Sequence, residues 1–319
     1  MKRKKLAIAA LAASLAVGTL AAQPAKAAST SLVIGSVLDI DKLDPHTATN
    51  FATVRALGLV YSSLVEVGPA NKLKTGLASA WQFSADGKTL KLTLREGVKF
   101  HDGSTFDAVD AKASLERILD TKTGAAARAN IATITSITAS GRYLTLNLSV
   151  SNIPILAALD GVNMAMLSSA DIAAGKVGGT NKPNGTGAFK YVSWEPTQSV
   201  KLSANADYWM GEPKISDITI RVIPTEASIL SAMNAGTIQF GIISDPLIAK
   251  QVNTRNLKLY KTPALAYYAL QFNNKVAPFN DKNVRLAVQC ALDRQEVVNT
   301  ALLGQGAISG PITSPAYRS

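Results

Sequence analysis

Residues Leu92 to Leu119 read LTLREGVKFHDGSTFDAVDAKASLERIL. The stretch holds His101, one of only two histidines in the 319-residue chain, beside Asp102 and ahead of Asp107 and Asp110. It is either a reactive centre or scaffold, and the spacing favours scaffold. Leu90, Leu92 and Leu94 alternate with Lys91, Thr93 and Arg95, the pattern of a half-buried strand. Glu96-Gly97 and Asp102-Gly103 are turn pairs. Asp107 stands where a helix N-cap accepts from free amides, and Asp110 occupies the third helical position, where a carboxylate is also favoured. Ala108, Ala111, Leu115 and Ile118 then make one buried stripe. His101 alternates with Phe100 and faces away from that core. A metal site needs several converging ligands, and the other histidine, His46, is far off in sequence. We therefore expect no metal and no catalytic group here.

Outward from this block, Asp86-Gly87 closes one hairpin, and Thr133 to Val150 forms another around Gly141-Arg142. Near the start, Ser31 to Val37 is a short β-branched run expected as a buried strand. The turn-rich loop DIDKLDPHTATNFAT follows. Val54 to Val65 shows helical spacing. Further on, strands are expected at Val200 to Leu202, along Ile218, Ile220 and Val222, at IQFGII (238–243), at Leu257 to Tyr260 and at Ala266 to Phe272. Glu226 to Ala235 reads as a helix stopped by Gly236, and Asn283 to Leu303 as one long helix ended by Gly304. Trp194 and Trp209 read as core residues rather than stacking platforms. The class is α/β, with antiparallel hairpins beside helix–strand units.

The first 27 residues read as a signal peptide. Lys2, Arg3, Lys4 and Lys5 precede a small apolar run from Leu6 to Leu20, and Ala25-Lys26-Ala27 offers a cleavage site. Cleavage after Ala27 predicts a periplasmic or secreted protein. The single cysteine, Cys290, lies far from that site, so no lipid anchor and no internal disulfide are expected. The formal charge of +11 falls to +6 once the five basic residues of the leader are removed. The remaining charges are interspersed, and no basic stripe with aromatics is present, so nucleic acid is not an expected partner.

Three long blocks, in order, resemble the extracytoplasmic solute-binding proteins of the peptide/nickel class, family 5, that feed ABC importers. They are Leu77 to Ile118, which contains the opening stretch; Gly185 to Pro224, GTGAFKYVSWEPTQSVKLSANADYWMGEPKISDITIRVIP; and Phe272 to Pro311, FNNKVAPFNDKNVRLAVQCALDRQEVVNTALLGQGAISGP. The resemblance implies a two-lobe periplasmic-binding-protein-like (class II) architecture with mixed sheets. Residues 28–71 and 185–262 would form a discontinuous first lobe. Residues 72–184 would be a subdomain inserted into it, and 263–319 the hinge and the start of the second lobe. Members of the family are considerably longer, so the second lobe is expected to be incomplete, in a C-terminally truncated chain. The stripe of Val284, Ala287, Val288, Ala291 and Leu292 would then lack most of its packing partners. Gln239 also stands where the family usually has an acidic residue.

By resemblance, the protein is a carrier and not an enzyme. It would trap peptides or similar small solutes between its lobes and deliver them to membrane permease subunits, as a monomer and without a cofactor. The ligand-binding candidates are Thr47, Thr49 and Asn50, in the loop after the first strand, and Tyr267 and Tyr268 at the lobe crossing. Strand alternation lets at most one of the two tyrosines face a cleft. The rival readings are a secreted hydrolase and a fragment of the carrier without function. The hydrolase lacks support, because no Gly-x-Ser-x-Gly elbow occurs and His101 is the only base on offer.

Overall fold

The structure is a computed structural model and describes residues 30–68, 72–261 and 268–308. In chain order, β1 (Ser31–Ser36) leads through a loop to α1 (Phe51–Val60). The short pair β2 (Val65–Val67) and β3 (Leu73–Thr75) follows. A hairpin of β4 (Ala78–Phe83) and β5 (Thr89–Leu94) leads into α2 (Ala108–Leu119) and a second hairpin, β6 (Ile134–Ser140) with β7 (Tyr143–Leu148). Two short helices, α3 (Ile155–Ala158) and α4 (Ser169–Ala173), precede β8 (Phe189–Glu195), β9 (Ser199–Ala204) and β10 (Asp217–Val222). Then come α5 (Glu226–Asn234), β11 (Phe240–Gly241) and α6 (Pro246–Lys250), and finally α7 (Lys282–Ala291) and α8 (Arg294–Thr300).

The strands make two main sheets and one short ribbon of β2 with β3. One sheet is wholly antiparallel in the order β4-β5-β7-β6; the other is mixed, in the order β11-β1-β10-β9-β8. Each has its own apolar core. Leu90, Leu92, Leu94, Leu144 and Leu146 leave one face of the antiparallel sheet and meet Ala111, Leu115 and Ile118 of α2. Every second residue of β5 is buried, as the alternation requires. The mixed sheet buries Phe189, Val200, Leu202 and Ile218 against Ala56, Leu57 and Val60 of α1.

At the start of α2 the expected cap at Asp107 is completed into a capping box by Asp110. Asp107 accepts from the amides of Val109 and Asp110, while Asp110 reaches back to the Asp107 amide at 3.0 Å. The other oxygen of Asp110 accepts from the Ser169 amide at 2.8 Å, so one carboxylate starts α2 and fixes the start of α4.

The two cores are joined where the chain crosses between them. Ser63 bridges Ala165, and the Met166 amide donates to Ser62. The tripeptide Gly185-Thr186-Gly187 runs directly over the end of α1, and the Gly187 amide donates to the Val60 carbonyl at 2.9 Å. A Cβ on Gly185 or Gly187 would overlap the Val60 backbone. Glycine is used here for close approach.

Several elements depart from the sequence expectation. Helix α1 starts three residues earlier and ends five earlier, because Asn50 caps it and Tyr61 is already extended with φ −114°. Leu64, on the expected helical face, packs in the other core instead. The run 238–243 is a strand only at Phe240–Gly241. Leu257 to Tyr260 forms no strand, and neither do the described residues of Ala266 to Phe272. The long helix of 283–303 is two helices, because Leu292 is extended at φ −91° and ψ 112° and Asp293 caps α8 through the amides of Gln295 and Glu296.

Candidate functional site

Three parallel strands orient the site. β1 pairs with β10 along its whole length and with β11 at Ile34–Gly35. The loops that follow these strands therefore leave from one end of the sheet: 37–50 after β1, 223–225 after β10, and 242–245 after β11. In open α/β sheets, ligands sit outside the carboxyl ends of such strands. Val37, Leu38 and Ile242 are exposed apolar residues at this end.

The loop after β1 is held at three places. At its start, the Asp39 carboxylate accepts from Trp194 Nε1 with both oxygens, each at 3.1 Å, and from the Thr197 amide at 2.7 Å. At its end, the Asn50 side chain accepts from the Ala52 amide at 2.8 Å and donates to the Asp39 carbonyl at 3.2 Å. Both ends of the loop thus close on Asp39.

The middle is strapped from the side of the antiparallel sheet. Arg117 of α2 grips Asp44 with both terminal nitrogens, at 3.2 and 2.6 Å, and donates to His46 Nδ1 at 2.8 Å. His46 Nε2 lies 2.9 Å from the Ala165 carbonyl. A carbonyl only accepts, so Nε2 carries the proton and Nδ1 is the acceptor. His46 is wholly buried, and burial next to the Arg117 guanidinium holds the imidazole neutral, lowering its pKa from 6.5 to about 4. Asn163 Nδ2 adds bonds of 2.8 Å to the carbonyls of Pro45 and Ala48. These bonds fix the stretch from Asp44 to Ala48, and Thr47 and Thr49 flank the buried Ala48.

The residues singled out by sequence fall unevenly in this arrangement. Thr49 is exposed and Thr47 half-buried. The side chain of Asn50 is occupied as the α1 cap. Tyr268 lies elsewhere, almost fully exposed, in an open cleft of about 510 Å³ that it lines with Ser244, Asp245, Pro246, Val297, Ala301 and Leu302. Ser244 and Asp245 belong to the loop after β11, and Glu226 Oε2 fixes both of their amides, at 2.9 and 2.8 Å. Tyr267 lies outside the described residues. The roles of Asp39, Asp44, Arg117 and Glu226, and the buried strap at His46, are not legible in the sequence, because their partners are distant in it.

His101, the only base the hydrolase reading offers, is also committed. Its Nε2 is 3.0 Å from the Gly187 carbonyl, and its Nδ1 accepts from the Gly185 amide at 3.4 Å. Burial lowers its pKa. Asp102 caps its own turn through Ser104 and receives Asn184. Among the described residues, no group of three or more His, Cys, Asp or Glu could hold a metal ion, and no helix is long and apolar enough to cross a membrane.

Comparison with known proteins gives this geometry its context. The oligopeptide-binding protein AppA of Bacillus subtilis (strain 168) is 28% identical over 294 residues, which is 89% of this chain and 54% of that protein. The glutathione-binding protein GsiB of Salmonella typhi is 28% identical over 312 residues, 96% of this chain and 60% of that one. The structure of AppA in complex with a nonapeptide superposes with a TM-score of 0.78 at 26% identity, over 90% of this chain and 58% of AppA. That of AgaA from A. tumefaciens R10, in complex with agropinic acid, gives 0.79 at 27%, over 88% and 58%. The fold is thus the α/β periplasmic-binding-protein fold, and the chain spans 54–60% of the length of these curated relatives. Residues 72–319 match the family model described as bacterial extracellular solute-binding proteins, family 5 Middle. The chain belongs to this family of extracytoplasmic solute-binding proteins, a class that captures solutes and does not catalyse reactions.

Proposed function

We propose that this chain serves as the solute-binding component of an ABC importer, capturing peptides or similar small solutes and delivering them to a membrane permease. The match to family 5 over residues 72–319 carries this reading. AppA and GsiB, whose names state peptide cargo, add the substrate class. In this reading, residues 28–71 and 185–262 act as one jaw, with 72–184 inserted, and the chain from 263 onward begins the other. Solute contacts the jaws together only in the closed state, and that differential contact drives closure. Thr47 and Thr49 offer small polar groups at the carboxyl end of β1, Asn50 holds the loop in shape, and Tyr268 faces the crossing between jaws. Residues 1–27 act as the export signal.

A thermal-shift titration tests the assignment, since a ligand that binds only the folded state raises Tm in a concentration-dependent way. The probes are a mixed nonapeptide pool, glutathione, agropinic acid and a nickel–histidine chelate. A saturable rise with the peptide pool or glutathione is expected. A rise with agropinic acid or the chelate alone overturns the peptide class. Cleavage of any added peptide overturns the carrier reading.

A further inference from the structure

The turn joining β8 to β9 is unusual in its sequence. Glu195 to Gln198 form four residues closed by the Gln198 amide on the Glu195 carbonyl at 3.0 Å. Pro196 is second and Thr197 third, and Thr197 has φ 63°. Turns with proline second and positive φ third take glycine or asparagine at that place, and a β-branched residue there is a conformational outlier. Strain of this kind persists only where the surroundings impose it. Here the conformation aims the Thr197 amide at Asp39 Oδ2, 158 positions away in sequence. Trp194, on the adjoining strand, directs its indole N–H at the same carboxylate. The Ile40 amide supplies a third donor, at 2.8 Å to Oδ1. Asp39 is where the chain leaves the carboxyl end of β1, and its carbonyl also receives Asn50 from the far end of the loop.

We propose that Asp39 is a positioning residue for solute capture: gripped by Trp194 and the strained Thr197 turn, it sets the Val37–Leu38 lip and the loop that carries Thr47 and Thr49. The inference rests on the carrier reading above. The position needs a carboxylate, because three donors converge on its two oxygens. An amide there would turn its own N–H groups toward the indole and the turn. Thr197 acts through its main chain alone, so its side chain is dispensable to the grip.

The test compares Asp39→Asn, Trp194→Phe and Thr197→Gly in the whole chain, by amide hydrogen exchange and by peptide-pool titration. Asp39→Asn is expected to speed exchange at residues 37–41 by about tenfold or more, while the amides of Val200 to Leu202 stay protected. Trp194→Phe, which keeps two of the three donors, should fall between Asp39→Asn and the parent. Thr197→Gly keeps its N–H, so exchange in the loop should match the parent, with a higher Tm from released strain. Peptide affinity should drop about tenfold in Asp39→Asn and hold in Thr197→Gly. Loop exchange in Asp39→Asn within about twofold of the parent overturns the proposal, as does faster exchange with unchanged peptide affinity. If the parent chain binds no probe, the carrier reading fails by itself. The exchange arm still decides whether Asp39 fixes the lip.

Discussion

The two sheets and the C-terminal segment 268–308 are built by different forces. In residues 30–241, leucines of β5 and β7 and the stripe of α2 are almost wholly removed from water. In residues 268–308, Leu286, Leu292 and Val297 remain exposed, and Val298 is the one buried apolar residue among those described. Yet α7 and α8 begin as correctly as α2 does. Asp281 caps α7 through the Asn283 amide at 2.7 Å, and Asp293 caps α8 at 2.8 and 3.0 Å. Caps and spacing decide where a helix starts, whereas burial decides what it is worth. Among the described residues, the stripe of Val284, Ala287, Val288, Ala291 and Leu292 has no buried member, in line with the expected shortage of packing partners.

This contrast breaks most easily at the core. Leu92→Ala, at a fully buried site, should cost about 3–4 kcal/mol of unfolding free energy, while Leu286→Ala should cost under about 0.5 kcal/mol. Urea denaturation of the two variants checks this, and similar costs would erase the distinction. Acid probes the strap between the sheets. His46 has a folded pKa of about 4 against 6.5 when free, so the unfolded chain binds its proton first. The contribution is full above pH 6.5 and is lost as pH falls toward 4, by an amount on the order of 3 kcal/mol. His101, also lowered, acts with the same sign. Unfolding free energies measured from pH 7 to 4 should fall less steeply in His46→Gln than in the parent. The caps give the smallest effect. Asp107→Ala should cost about 1–2 kcal/mol in the global transition. Asp293→Ala should reduce helical circular dichroism slightly and leave that transition in place, because α8 contributes little buried surface.

These differences also mark what the sequence disclosed. The hairpins around Gly87 and Gly141, the α2 box and the buried stripe were legible because each is set by neighbours within a few residues. The α1 start is hidden because the stretch through Thr53 reads as turn-rich loop, and the capping role of Asn50 depends on the chain turning helical at Phe51. The break at Leu292–Asp293 was hidden by an apolar spacing that continues across it. Leu257 to Tyr260 has strand-like residues but, among the described residues, no neighbouring strand to pair with, and pairing is what stabilises a strand. The loop after β1 is legible as a polar, turn-rich stretch, except that its last three expected residues, Phe51 to Thr53, belong to α1. The interior of that loop was not legible, since Arg117 lies 71 positions from His46 and Trp194 lies 155 from Asp39.

The Gly185-Thr186-Gly187 crossing has a thermodynamic consequence. Its amide at Gly187 belongs to the end of α1, while the carbonyls of Gly185 and Gly187 receive the His101 amide and ring. Disorder spreading through either hydrophobic interior strips the same few bonds from the other. Heat should therefore melt the paired sheets as a single cooperative unit, although each possesses an interior of its own.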